Sequence, residues 1–297
     1  MFIGSDEHKE LFCRAFIDSH KPFEPPDMPW PELDELSLAR LRAIPIWSMA
    51  LGVELGAGSM LAGYASSEPD PLVRQALEMQ GYEEARHGRI LDYMNKKYAL
   101  NAVPDPPKTE SSRRAFVDFG YDECVDSFAG FGIFKLACDA RILPESLTSM
   151  FAQVLYEEAR HIMFFVNWVA WDRTRRGLPG PALQAIPSMA GYGGAIARKV
   201  KLGSSMADGD GNGRTKEENE PFNLFADVLD GLTASKFVRT CLEENDRYMQ
   251  SFDPRLLRPR VIPSIARVLL PLIELVEFLL SLFQGPPKET TAPANAP

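Results

Sequence analysis

The hexapeptide Tyr-Glu-Glu-Ala-Arg-His occurs twice, at 82–87 and 156–161, and its copies hold two of the chain's four histidines. In each copy a glutamate stands three residues before the histidine: Glu84 before His87, and Glu158 before His161. On an α-helix that spacing puts a carboxylate and an imidazole on one face. Such a pair can bind one metal ion. Two such helices facing each other can bind two, with further carboxylates from partner helices bridging them. A single Glu-x-x-His is a weak signal, because i,i+3 Glu and His pairs also sit on solvated faces. Two copies at a bundle interval are much more specific.

A dinuclear site predicts one more carboxylate on each partner helix. Glu54 stands alone in the run WSMALGVELGAGSML, 30 residues before Glu84. A lone charge in apolar surroundings needs a counter-charge or a metal. The later partner segment offers Glu123 and Asp126. Aligning VELGAG (53–58) with VDSFAG (125–130) pairs Glu54 with Asp126 at an offset of 72, close to the 74 that separates the two motifs. Pairing Glu54 with Glu123 gives 69 and needs a larger insertion. The repeat therefore favours Asp126, while Glu123, one turn away on the same face, stays open.

The elements that must carry these residues are helices. Pro22, Pro25, Pro26, Pro29 and Pro31 make residues 1–31 a proline-rich arm without regular helix. Pro45 can occupy the first turn of a helix reaching about Ala65. Asp70-Pro71 is a cap and first-turn proline for a helix to about Tyr98. After the linker 101–109, helices are expected from about Ser112 to Arg141 and from Pro144 to about Arg175. Residues 32–178 thus read as two helical hairpins with one crossover, an all-α four-helix bundle of the ferritin-like kind. Residues 179–216 read as a Gly-rich irregular segment. Within it DGDGNG (208–213) opens like a calcium loop, but Asn219 stands where the bidentate Glu is required. Residues 217–283 are expected to form further helices that pack on the bundle or a partner subunit, and 284–297 a disordered tail.

Composition limits the partners. A net charge of −9 argues against nucleic acid, which rewards clustered Lys and Arg. Four cysteines without a CxxC pair build no rubredoxin-like or zinc-ribbon site, and with the polar start MFIGSDEHKE they fit a cytoplasmic protein. The apolar stretch Ile265–Phe283 carries Arg267, Glu274 and Glu277 and reads as an amphipathic helix that predicts a homodimer. A peripheral membrane contact, kept in view by Arg255, Arg258 and Arg260, is the minor reading.

Over roughly residues 45–175 the chain resembles the ferritin-like superfamily of dinuclear carboxylate proteins. The Glu-x-x-His pairs and Glu54 carry that likeness. Arg86 and Arg160 before each histidine, and Glu83 and Glu157 before each ligand glutamate, look most like the di-iron monooxygenase hydroxylases. The resemblance implies two iron ions, with manganese an alternative, and an external reductase or ferredoxin as electron donor. It implies an oxidoreductase that uses O₂ to hydroxylate, desaturate or N-oxygenate an organic substrate. The apolar ligand faces suggest that this substrate has a hydrophobic portion. Manganese-catalase-like peroxide chemistry and ferroxidase action are the alternatives. The resemblance also implies that Glu83 and Glu157 each support the other helix's histidine; the plainer reading is a solvated flank, with Arg86 and Arg160 in surface ion pairs. Amine N-oxygenases add a third histidine where this chain has Val154. Gly58, Gly130, Phe151, Val154 and Phe165 are candidates for a substrate cavity, against a default reading of close packing and core.

Overall fold

Each long helix begins where its capping residues place it. The computed structural model describes residues 1–44, 46–104, 110–178, 180–208 and 232–283, and among these are nine α-helices and no strand. They are α1 (Asp6–Asp18), α2 (Glu35–Ala43), α3 (Trp47–Ala65), α4 (Pro71–Tyr98), α5 (Arg113–Asp139), α6 (Glu145–Arg175), α7 (Pro181–Asp208), α8 (Ala234–Met249) and α9 (Val261–Phe283). The Asp70 carboxylate accepts from the amides of Leu72 and Val73 at 3.0 and 3.2 Å, and Pro71 needs no partner in the first turn of α4. Ala99 ends α4 in the left-handed region, at φ 50°. The Ser112 side chain caps α5 through the Ala115 amide at 3.1 Å.

Two segments correct the expectation. The 1–31 arm opens with a regular helix, α1, capped by Ser5, whose hydroxyl accepts from the His8 amide. Its prolines begin at Pro22, after α1 has ended, so they bar helix only from there on; a 3-10 turn at Pro25–Asp27 follows. Residues 179–216 were expected to be irregular, yet they carry α7, with Pro187 inside it. One of its glycines serves close packing: a Cβ on Gly191 would come within 2.3 Å of the Tyr121 ring. Most of the calcium-like run, residues 209–213, lies outside the described residues, as do Pro45, residues 217–231 and the 284–297 tail.

Glycine also sets how α3 lies on α4. A Cβ on Gly58 would be 2.9 Å from Ala85, one on Gly81 3.1 Å from Leu61, and one on Gly88 2.9 Å from Leu55. Each helical glycine costs about 1 kcal/mol relative to alanine. Here that cost is offset by a backbone approach that brings Glu54 against the motif face of α4. Helix α5 packs on α6, with α7 and α8 against its other sides, while α1 lies across both α4 and α6. The buried core joins Phe12 and Phe16 of α1 to Leu61, Leu77, Phe116, Phe164 and Trp168. Among the described residues no single helix is long and apolar enough to cross a membrane.

Candidate metal centre

Glu84 and His87 lie one turn apart on α4, and Glu158 and His161 one turn apart on α6. Ligand atoms of Glu54, Glu84, His87 and Glu158 all fall within 4.8 Å of one another, a group that could hold a metal ion. The Nδ1 atom of His87 is 3.0 Å from Glu158 and 3.7 Å from both Glu54 and Glu84. His161 joins the same cluster, its Nδ1 2.9 Å from Glu84 and 3.5 Å from Glu158. Side-chain exposure is 22 % for Glu54 and 14 % for Glu158 but at most 2 % for Glu84 and His161, so among the described residues the cluster is more open on the side of Glu54 and Glu158.

Behind the cluster the two motifs are crossed. His87 Nε2 donates to Glu157 of α6 at 2.9 Å, and His161 Nε2 donates to Glu83 of α4 at 2.9 Å. Each acid also pairs with the arginine of its partner motif: Glu157 with Arg86 at 2.6 Å, and Glu83 with Arg160 at 2.7 Å. All six side chains are buried. Burial alone would raise the Glu83 carboxyl, but the His161 hydrogen bond and the charges of His161 and Arg160 hold it far below the carboxylate range. Against the same burial, His87 and Arg86 hold Glu157 low. An ionised carboxylate only accepts, so Nε2 of each imidazole carries the proton and Nδ1 is the atom turned toward the cluster.

Both Nδ1 atoms, together with Glu158 Oε2, are buried without a hydrogen-bond partner. A buried polar atom left so costs about 1–3 kcal/mol. Three of them converging on clustered carboxylates fit a cation. Burial would lower both imidazoles, yet the surrounding carboxylates hold them well above their ordinary value. Burial pushes Glu54 up to about 8. Burial, then the charges of Glu158, Glu84 and Glu54, push Glu123 well above its ordinary value.

Of the two α5 candidates, Glu123 is thus the one that interacts with Glu158, while Asp126, favoured by the repeat, is turned elsewhere. Asp126 is 46 % exposed and pairs with Lys199 of α7 at 2.5 Å. That lysine lies on α7, in a segment the sequence reads as irregular, so the pairing has no counterpart in the repeat.

The proposed cavity residues divide. Gly58 is filled by Ala85, and Phe165 packs into the gap left by Gly120, where a Cβ would lie 2.1 Å from its ring. Both belong to close packing. Phe151 and Val154 are half-buried, and a Cβ on Gly130 would meet nothing within 4 Å. Tyr82 and Tyr156 point away from the cluster: Tyr82 donates to Glu24, and Tyr156 stacks on Phe252.

Four supporting residues escaped the sequence reading. His20 Nδ1 lies 2.5 Å from Glu83, and the Ser19 hydroxyl accepts from Arg160 at 2.9 Å. No spacing rule connects them to motifs more than 60 residues away. Gln153 donates to Glu157 at 3.1 Å and Gln80 to Glu84 at 3.4 Å. Each lies four residues before its acid on the same helix, a spacing that was legible. No protein-family model, no curated protein and no solved structure matches the chain.

Proposed function

We propose that the chain is a ferritin-like dinuclear metal oxidoreductase, with α3 to α6 as the four helices of its bundle. The observation that carries this reading is the pair of orphaned Nδ1 atoms facing shared carboxylates, each fixed from behind by the opposite motif's acid. Four carboxylates, those of Glu54, Glu84, Glu123 and Glu158, balance two divalent cations. His87 and His161 supply one nitrogen each, and Glu83 and Glu157 fix their tautomers. The mixed oxygen–nitrogen donor set suits iron first and manganese second.

Two irons so held, when reduced by an external reductase or ferredoxin, would supply O₂ reduction coupled to oxidation of an organic substrate. The chain's own part is to hold the ions and to admit substrate from the side of Glu54 and Glu158. The buried aromatics around Phe164 and Trp168 keep water from the opposite side. The open space beside Gly130 and the half-buried Phe151 and Val154 favour a substrate with a hydrophobic portion.

Metal content per chain by elemental mass spectrometry, with iron and manganese both supplied, tests the site beside a Glu84→Ala, His161→Ala control. About two irons, lost in the control, are expected, followed by substrate-dependent O₂ uptake. Two manganese ions would shift the activity to peroxide disproportionation. No metal in either protein after anaerobic ferrous loading would sink the reading.

A further inference from the structure

Helix α9 pairs its charges with α8 along a half-exposed edge and leaves a row of apolar residues uncovered. Arg267 pairs with Asp246 at 2.7 Å, Glu274 pairs with Arg239, and Glu277 accepts from the Ser235 amide at 2.9 Å, all three contacts to α8. Ile262, Ala266 and Leu270 pack inward on Phe128, Cys241 and Leu242. Ten large apolar residues stay exposed, and six of them, Ile265, Val268, Leu272, Leu275, Leu279 and Leu282, each between 43 % and 71 % exposed, form one row, flanked by Leu269, Val276, Phe278 and Leu280. The spacing of the six alternates three and four over more than two heptads, the a and d pattern of a helix seam.

The geometry points to a second copy of this chain as the occupant: α9 pairs with α9 of another subunit about a twofold axis, with these six residues as the seam. Three arguments favour a copy over other partners. A seam without charge is complementary to itself, which a twofold interface requires. Ten large apolar residues of α9 are exposed by 43 % or more. At on the order of 100 Å² each, the six of the seam present ~600 Å² and all ten ~1,000 Å², which bracket the ~800 Å² that one partner contributes to a specific interface. A lipid surface would instead call for free cations beside the apolar face. Here Arg255 is paired with Asp253 at 2.6 Å and Arg258 bonds to the carbonyls of Phe252, Asp253 and Leu256, which among the described residues leaves Arg260 as the one exposed arginine at the start of α9, and the chain carries a net charge of −9.

Sedimentation velocity and light scattering on the full chain test the pairing. The 33.1 kDa chain should run at twice its mass. Leu272→Glu with Leu279→Glu should run at the single mass, keeping its far-UV spectrum and melting temperature because both residues face outward. The milder Leu272→Ala should weaken dimerisation tenfold or more without risk to the fold. A monomeric wild type, or a dimer that both variants leave intact, overturns the proposal. So does a monomeric wild type that floats with phosphatidylcholine–phosphatidylserine vesicles, which would make lipid the occupant.

Discussion

The two halves of the centre carry the same motif in different surroundings. In one, Glu157 holds His87 and Arg86 and takes its third hydrogen bond from Gln153, a neutral amide on its own helix. In the other, Glu83 holds His161 and Arg160 and takes its third from His20, which arrives from the segment after α1. The partner helices differ as well. Three glycine contacts press α3 onto α4, while the α5 face beside Gly130 is left open. A repeated motif thus presents a Glu-x-x-His pair twice, while the elements around it are not repeated: α3 meets α4 through glycines, and α5 has a gap at Gly130 between its close contacts at Gly120 and Gly132.

The comparison breaks most severely if the crossed acids are removed. Glu157→Ala strands Arg86 and Glu83→Ala strands Arg160, each a buried guanidinium with no countercharge. Removing one partner of a buried pair costs about 3–5 kcal/mol. Both variants should lose metal and melt far below the wild type by calorimetry. The Gln replacements, which keep an acceptor oxygen, should fold and weaken metal binding by roughly 10–100-fold. Equal stability of the Ala variants would show that the arginines find other partners.

The glycines separate the halves by packing. Gly58→Leu must push α3 away from Ala85, so overpacking of about 1–3 kcal/mol or more is expected, together with loss of metal as Glu54 leaves Glu84. Gly130→Leu meets no atom. It should leave stability and metal content unchanged while lowering turnover of a bulky substrate. Denaturant melts and metal analysis read both, and a stable, metal-replete Gly58→Leu would return that glycine to the cavity.

How much of this was legible depends on whether the contact is local. Glu84–His87 and Glu158–His161 are set by helical periodicity, and Glu54 stands out because an apolar run isolates it. The boundaries of α4, α5 and α6 follow from Asp70, Ser112 and Pro144. What the chain does not display locally is the partner of Asp126, because Lys199 reaches it from 73 residues down the chain. Nor does it display the fold-back of α1, since Phe12 and Phe16 bury against Phe164 through contacts that no short motif encodes.

The exchange of Glu123 for Asp126 gives a milder test. Raised groups in the metal-free cluster, namely Glu54, Glu123 and both imidazoles, release protons when a cation enters. Metal affinity therefore rises with pH, and falls as acid restores those protons. Calorimetric titration in buffers of different ionisation enthalpy should find Glu123→Gln releasing about one proton fewer and binding roughly tenfold more weakly. Asp126→Asn should match the wild type on both counts. The reverse result would return the fourth carboxylate to Asp126.

The smallest effect should come from the third donors. His20→Phe removes one of three hydrogen bonds to Glu83 and frees that carboxylate to rotate away from His161, while Gln153→Leu does the same to Glu157 and His87. Each acid keeps its arginine and its ligand histidine, so folding should survive. The loss should be of the order of tenfold in metal affinity, near the lower limit for an outer hydrogen bond to a ligand. Cobalt titration followed by its visible spectrum can resolve two binding steps. If the halves act independently, each variant weakens one step and spares the other, and His20→Gln, which can still donate to Glu83, restores most of the loss. If both steps weaken together in either variant, the shared carboxylates Glu84 and Glu158 couple the halves. The asymmetry between His20 and Gln153 would then concern how the site is held closed rather than how its two positions differ.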